Sequence, residues 1–200
     1  MRGPIYWHTS LYQILIRLLY GRHFRDRYIQ IASRIKTGQS VVDLCCGDCR
    51  LYAQELAGRA GTYLGLDFNR GFVRHAVRRG ISARVWDFRF DPIPEADIVV
   101  LQGSLYQFVP HHVEAIERML RAAGRTVIIT EPIKNVAASP YGFLSWAATH
   151  LTNPGTHPMP SRFTEWELRE LFNRFSLREC VTIAGGRELL GVFDTRGRRA

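Results

Sequence analysis

The sequence predicts an α/β protein: a doubly wound, mostly parallel seven-stranded sheet closed by an antiparallel C-terminal hairpin. Three observations predict it. Short apolar runs alternate with helix-length amphipathic segments from residue 40 to residue 130, the pattern of parallel strands joined by right-handed crossovers. Two further strand-like runs flank Gly185-Gly186 and read as a hairpin. An acidic residue falls at or near the end of each of the first three runs (Asp43, Asp67 and Asp87), and in such sheets ligands collect beyond the carboxyl ends of the strands.

The elements follow in order. Leu11, Ile14, Leu15, Leu18 and Leu19 keep the i, i+3, i+4, i+7, i+8 spacing of an amphipathic helix, and a second helix is expected over 25–36, stopping before Gly38. SVVDL (40–44) is a buried strand, and DCRLYAQELAG is the helix after it. TYLGLD (62–67) leads into a helix capped by Asn69 and closed by Gly80. ARVWD (83–87) and ADIVVLQ (96–102) are two more strands. Pro110 opens a helix carrying Val113, Ile116, Met119 and Leu120 to Gly124, since proline loses little at a first helical position. RTVIIT (125–130) is the fifth strand. Thr164 and Glu167 form a capping box before the apolar face Leu168, Leu171, Phe172 and Phe175. RECVTIA and ELLGVFD complete the sheet.

Two hundred residues, 46% hydrophobic and 22% charged, describe one globular domain, and exclude collagen, coiled coil and wholesale disorder. Within it, residues 1–36 are expected to form a helical cap and 133–161 a lid. No window has the roughly 18 uninterrupted apolar residues of a membrane span. The early stretch 11–20 is interrupted by Gln13 and Arg17 and lacks a small-residue cleavage site, so a secretory signal is not expected. Three of the four cysteines crowd at 45, 46 and 49, which is no disulfide framework and points to a reducing compartment, the cytoplasm. The net charge of +9 comes from 27 basic residues, of which only Lys36 and Lys134 are lysines. Such an excess suits nucleic acid or anionic lipid. It equally suits arginines spread over solvated faces, which is the preferred reading of Arg74, Arg78, Arg79 and Arg84.

The turn CCGDC (45–49) lies between the first two strands, and Gly47 precedes Asp67 by twenty positions. That is the interval at which a carboxylate meets a ribose in nucleotide-binding βαβ units, accepting hydrogen bonds from both hydroxyls. A pyrophosphate needs a glycine-rich turn for close backbone approach, so Gly47 alone disfavours a dinucleotide. CGDC also contains a C-x-x-C spacing, but a thioredoxin-like redox site leaves Asp67 and Asp87 unexplained. A metal site on Cys45, Cys46 and Cys49 lacks a fourth ligand, and none is expected.

At this point the chain resembles a family. VVDLCCGDCRLY, YLGLDFNRGFVRHA, ARVWDF and ADIVVLQGSLYQF are similar, in order and spacing, to the four motifs of class I S-adenosylmethionine-dependent methyltransferases, over about residues 25–195. The resemblance implies a Rossmann-like fold and S-adenosyl-L-methionine as cofactor. Asp43, Cys45 and Gly47 would shape the turn around its methionine part, and Asp67 would hold the ribose. The backbone at Phe68 would approach the adenine, Asp87 would accept from the adenine amino group with the Phe88 N–H facing the ring, and Gln102 would lie near the methionyl moiety. The family usually has glycine where this chain has Cys45 and Cys49. Since a left-handed backbone costs a non-glycine residue about 1–2 kcal/mol, negative φ is expected at both.

Methyl transfer from a sulfonium is an in-line displacement. The protein has to align the acceptor and exclude water, with a general base where the acceptor must lose a proton. Candidates for contact with the acceptor or its proton are Tyr106, Gln107, His111 and His112. Glu131 at the end of the fifth strand is a further one, although such a carboxylate also serves to brace a loop. About thirty residues between the fifth strand and Thr164 carry Tyr141, Phe143, Leu144, Trp146 and Leu151, too apolar for disorder, and read as a lid turning at Asn153-Pro154-Gly155. The first helix, with Tyr6, Trp7 and Tyr12, resembles the leading segment that covers the cofactor in quinone-biosynthesis and phospholipid methyltransferases. An apolar or amphiphilic small molecule is therefore the expected acceptor, with Tyr12 beside the cofactor. Peripheral membrane contact through the same helix is an alternative, helped by Arg17, Arg22, Arg25 and Arg27. Nucleic acid is disfavoured, because QGSL (102–105) is not the Asn/Asp-Pro-Pro-aromatic turn of base-amino methyltransferases. The rival outside enzymology is a cofactor-binding protein without turnover.

Overall fold

The computed structural model describes residues 25–133 and 162–195. The predicted first helix with Tyr12, and all of the predicted lid except Ile133, lie outside the described residues. Within them the chain runs α1 (Asp26–Ala32), β1 (Ser40–Leu44), a π-helical turn (Tyr52–Leu56), β2 (Thr62–Asp67), α2 (Arg70–Arg78), β3 (Ala83–Val85) and β4 (Ala96–Gln102). It continues through a 3₁₀ turn (Leu105–Phe108), α3 (His112–Ala122), β5 (Ala123–Pro132), α4 (Glu165–Asn173), β6 (Leu177–Ile183) and β7 (Glu188–Asp194).

The seven strands stand in the order β3-β2-β1-β4-β5-β7-β6. All pairs from β3 to β5 are parallel, while β7 pairs antiparallel to both β5 and β6. The order reverses between β1 and β4, so the switch point of the sheet lies beyond Leu44 and Gln102. Alternation along the strands builds two apolar layers. Val42, Leu44, Val99, Leu101, Val127 and Ile129 pack with Ile116 and Met119 of α3 and with Leu168 and Phe172 of α4. Val41, Ile98, Val100 and Ile128 pack on the other face with Ile31 of α1, Leu56 and Ala76 of α2.

The local signals act largely as read. Asn69 Oδ1 accepts from the N–H groups of Gly71 and Phe72, and Gly80 ends the α2 turn with φ +74°. The Thr164–Glu167 capping box is formed in both directions. Other boundaries move for physical reasons. The helix expected over 48–58 is a π-helical turn at its centre, and it closes on Ala57 N–H to Tyr52 C=O. β3 stops at Val85, with a last ladder bond from Trp86 N–H to Asp67 C=O, because the chain then turns at Asp87, whose N–H reaches Asp91 and whose C=O accepts from Phe90 and Asp91. α3 begins at His112, two residues after Pro110, and yields to β5 at Ala123. α4 ends at Asn173, so Phe175 reaches the core from beyond the helix, edge-on to Phe193.

α1 is held by charge as well as by packing. Asp26 Oδ2 accepts from Ala184 N–H at 2.7 Å, and Arg34 pairs with Glu179 of β6. Arg27 pairs with Glu188 of β7 through two nitrogens. Part of the basic excess is thus structural, and Arg74, Arg78, Arg79 and Arg84 are exposed as expected of solvated faces. Among the described residues, no helix is long and apolar enough to cross a membrane.

Gly65 of β2 lets the turn after β1 lie on the sheet. A Cβ there would stand 2.5 Å from Cys49 Sγ and 2.8 Å from Cys46 Sγ, closer than atoms pack. We expect Gly65→Ala to lower unfolding free energy by about 1–3 kcal/mol in urea titrations, with Cys49→Ala in the same chain recovering part of the loss. Additive losses would show that the sulfurs do not set the close approach.

Candidate functional site

The site is built at the carboxyl ends of β1, β2 and β4. Asp43 is fully buried and faces Gly65 across β1–β2. The Tyr63 hydroxyl donates to its Oδ2 at 2.8 Å, and Gln102 Nε2 donates to both carboxylate oxygens at 2.8 and 3.0 Å. Even so, burial pushes its pKa up to about 7, aided by the charge of Asp67. Asp67, at the end of β2, accepts from Gly47 N–H at 2.9 Å and from Asn69 N–H at 2.8 Å. Burial outweighs those bonds and lifts its pKa to about 6. A carboxylate has roughly four acceptor positions, so Asp67 keeps capacity for further donors.

Cys45, Gly47 and Cys49 all have positive φ, at 52°, 58° and 57°. The expectation of negative φ at Cys45 and Cys49 is wrong. The turn needs left-handed backbone at both positions, and the cysteines hold it without glycine. At about 1–2 kcal/mol each the strain is tolerable because the surroundings over-determine the turn. Cys46 N–H reaches Leu66 C=O, Cys49 N–H reaches Cys46 C=O, and Gly47 N–H reaches Asp67. All four cysteines are free thiols, with Cys46 and Cys49 Sγ 3.5 Å apart. Burial and the neighbouring carboxylates push the Cys45 thiol well up, so it stays neutral. Among the described residues no cluster of metal-ligand side chains occurs.

Asp87 stands differently. It lies past the end of β3, and both of its oxygens accept from the Arg89 guanidinium at 3.0 and 2.6 Å, which lowers its pKa. The structure therefore brings Asp43 and Asp67 together and leaves Asp87 in an exposed ion pair on the adjoining loop. Phe68 follows Asp67 and is 39% exposed. Phe88 packs at 4.5 Å between ring centroids on Phe108, with the Arg118 guanidinium 4.1 Å above its ring. Gln102 is buried and committed to Asp43.

Beyond β4, Tyr106 is buried, its hydroxyl accepts from Gln107 Nε2 at 3.3 Å, and the Arg162 guanidinium lies 5.0 Å from its ring centroid. Gln107 and His111 are exposed, His111 beside Glu114. His112 is half-buried against Phe163, and burial lowers its pKa. Glu131 is fully buried at the end of β5 and accepts from Leu105 N–H at 2.7 Å. Sequence reading missed Tyr63 and Gln102 as clamps on Asp43. Their signal was alternation: Asp43, Tyr63 and Gln102 share one face of the sheet near its switch point.

No family model and no curated protein matches the sequence. Solved structures do match. A chain of the complex between the Haloferax volcanii Trm112 methyltransferase activator and a putative methyltransferase is 18% identical at a TM-score of 0.72, over 98% of this chain and 99% of that one. Magnesium protoporphyrin IX methyltransferase from Synechocystis, with bound S-adenosylhomocysteine, is 17% identical at 0.59, over 91% and 83%. An O-methyltransferase family 2 protein from Planctomyces limnophilus, in complex with apigenin, is 14% identical at 0.60, over 94% and 62%. The fold is the one these class I S-adenosylmethionine-dependent methyltransferases share.

Because the pKa of Asp43 is raised, the folded chain binds its proton more tightly than the unfolded chain does between about pH 4 and pH 7. Stability is lost as pH rises through that window, and the full penalty stands above it. Asp43→Asn removes the charge and keeps an acceptor for Tyr63, while the Gln102 amide can turn its oxygen to the new donor. The variant should melt above wild type at about pH 8, by about 1–3 kcal/mol, with the gain gone at about pH 4. An equal difference at both pH values would rule out the ionised carboxylate as its source.

Proposed function

We propose that this protein is an S-adenosylmethionine-dependent methyltransferase acting on an apolar or amphiphilic small molecule. The observation that carries the reading is the pair of buried carboxylates at the switch point, with Asp67 tied to the backbone of the Gly47 turn. The residues present fit the cofactor. Space is open where a Cβ of Gly47 would project, so a ligand can approach that backbone. Asp67 can accept from ribose hydroxyls, and Phe68 offers an exposed apolar surface beside it. Bound there, the cofactor would supply an activated methyl group, and the chain would orient the acceptor and exclude water.

Apolar groups beyond β4 support the acceptor class. Tyr106, Phe108 and Phe163 stand beyond β4, with the Arg162 guanidinium by the Tyr106 ring, while the exposed Arg74, Arg78, Arg79 and Arg84 belong to α2, its C-terminal cap and β3. Four free thiols suit a reducing compartment, the cytoplasm.

Calorimetry with S-adenosylhomocysteine tests the cofactor site. Asp67→Ala should weaken binding by about 1.5–3 kcal/mol, and unchanged affinity would remove the ribose assignment. In wild type the affinity should fall as pH drops through about 6, since protonation of Asp67 removes an acceptor and its charge. Acceptors follow from screening amphiphilic phenols and amines with methyl-labelled cofactor. A salt titration against generic RNA tests the competing acceptor class, for which tight binding with a steep negative slope is the signature.

A further inference from the structure

Glu131 is fully buried, and its two oxygens are unequal. Oε2 accepts from Leu105 N–H, whereas Oε1 has no hydrogen-bond partner among the described residues. A buried, orphaned carboxylate oxygen is costly enough to need an explanation, and a partner that arrives with a ligand supplies one.

Its position fits that explanation. Glu131, next to last in β5, pairs with Leu189 of β7 one step beyond the last β4 pair, Gln102 with Thr130, and Leu105, which holds it, opens the turn carrying Tyr106. Glu131 lies near enough to Cys45, the first residue of the β1 turn, and to Tyr106 for its charge to oppose ionisation of both. The orphaned oxygen therefore belongs to the tips of β1, β4 and β5, where an acceptor reaching toward the cofactor turn must lie. Around it stand Arg162 before α4, Arg27 of α1 with its partner Glu188 of β7, Tyr106 and Cys45. The two guanidinium groups favour the ionised form, while burial and Glu188 oppose it.

We infer that Glu131, through Oε1, receives the proton of the acceptor, and that the acceptor is a phenol or an amine. This rests on the methyltransferase reading above. In the step, the acceptor's lone pair forms the bond to the methyl carbon. The methyl–sulfur bond breaks with its electron pair passing to sulfur, and the acceptor's O–H or N–H proton passes to the Glu131 carboxylate. Burial lifts that carboxylate's pKa to about 8, which makes it a stronger base than an ordinary carboxylate. Since the base acts when ionised, turnover rises with pH through about 8.

The test compares wild type, Glu131→Gln and Glu131→Asp on a panel of amphiphilic phenols and primary amines with methyl-labelled S-adenosylmethionine. Calorimetry with S-adenosylhomocysteine and isotope-edited infrared titration of the carboxyl bands run alongside. We expect kcat of Glu131→Gln to fall about 10²–10⁴-fold with loss of the ascending pH limb, partial recovery in Glu131→Asp, and homocysteine-product affinity within about threefold of wild type. The infrared titration should show one carboxyl, absent from Glu131→Gln, ionising near about pH 8. A wild-type profile flat through that range overturns the inference without any variant. Wild-type kcat in Glu131→Gln overturns it too, as does failure to methylate any phenol or amine while S-adenosylhomocysteine still binds. Failure of that ligand to bind wild type at all strikes instead at the methyltransferase reading.

Discussion

The hydrogen bonds that bury Asp43 hold the centre of the molecule. One carboxylate ties three strands at the point where the sheet changes direction: its own β1, Tyr63 of β2 and Gln102 of β4. Those strands are the ones whose tips carry the turn at Gly47, the Asp67 carboxylate and the segment leading to Tyr106. Were Asp43 apolar, the same apolar layers would still pack, but Tyr63 and Gln102 would each bury an unsatisfied group. The relative heights of the three tips would then rest on backbone register alone.

That arrangement carries an electrostatic consequence. Asp43, Asp67 and Glu131 all have pKa values raised by burial, and Asp67 adds to the burden on Asp43. Burial thus opposes ionisation at the strand tips, even in a chain whose net charge is +9. Arg27 and Arg162 act on Glu131, whereas Asp43 and Asp67 themselves accept from Tyr63, Gln102 and backbone N–H groups. A positively charged ligand gains most where no arginine already answers the carboxylates. Under the proposed function, that asymmetry would suit a sulfonium-bearing cofactor over β1 and β2 and a proton-bearing acceptor over β5.

Much of this was legible because it is written in local chemistry. Strand alternation, the Asn69 cap and the Thr164–Glu167 box each act within a few residues, and they place every strand in order. The twenty-residue interval from Gly47 to Asp67 is also realised, as a direct hydrogen bond between the two. Backbone conformation at Cys45 and Cys49 was not legible, because side-chain type sets a cost for positive φ while the tertiary bonds around the turn decide whether that cost is met. The ion pair of Asp87 was not legible either. Its sequence phase with the strands is right, but β3 has only three residues and ends before it, so Arg89 two positions later captures the carboxylate. The ring of charge around Glu131 is drawn from α1, β7 and the start of α4, separated by more than a hundred residues, and no spacing rule reaches that far.

The cysteines illustrate how the two halves of the site constrain one another. Gly65 is required because Cys46 and Cys49 press their sulfurs onto β2, and the strained turn between them is what presents Gly47 N–H to Asp67. A turn with glycine at 45 and 49 would relieve the backbone and lose the buried Cys49 side chain. The cysteine version trades flexibility for packing and fixes the turn before any ligand arrives. Preorganisation of that kind matters most when the ligand lacks a phosphate, the strong anchor that a glycine-rich turn exists to hold. On the proposed reading, a rigid turn, Asp67 toward the ribose and Glu131 as a remote base would divide recognition from chemistry, each carried by a different strand tip.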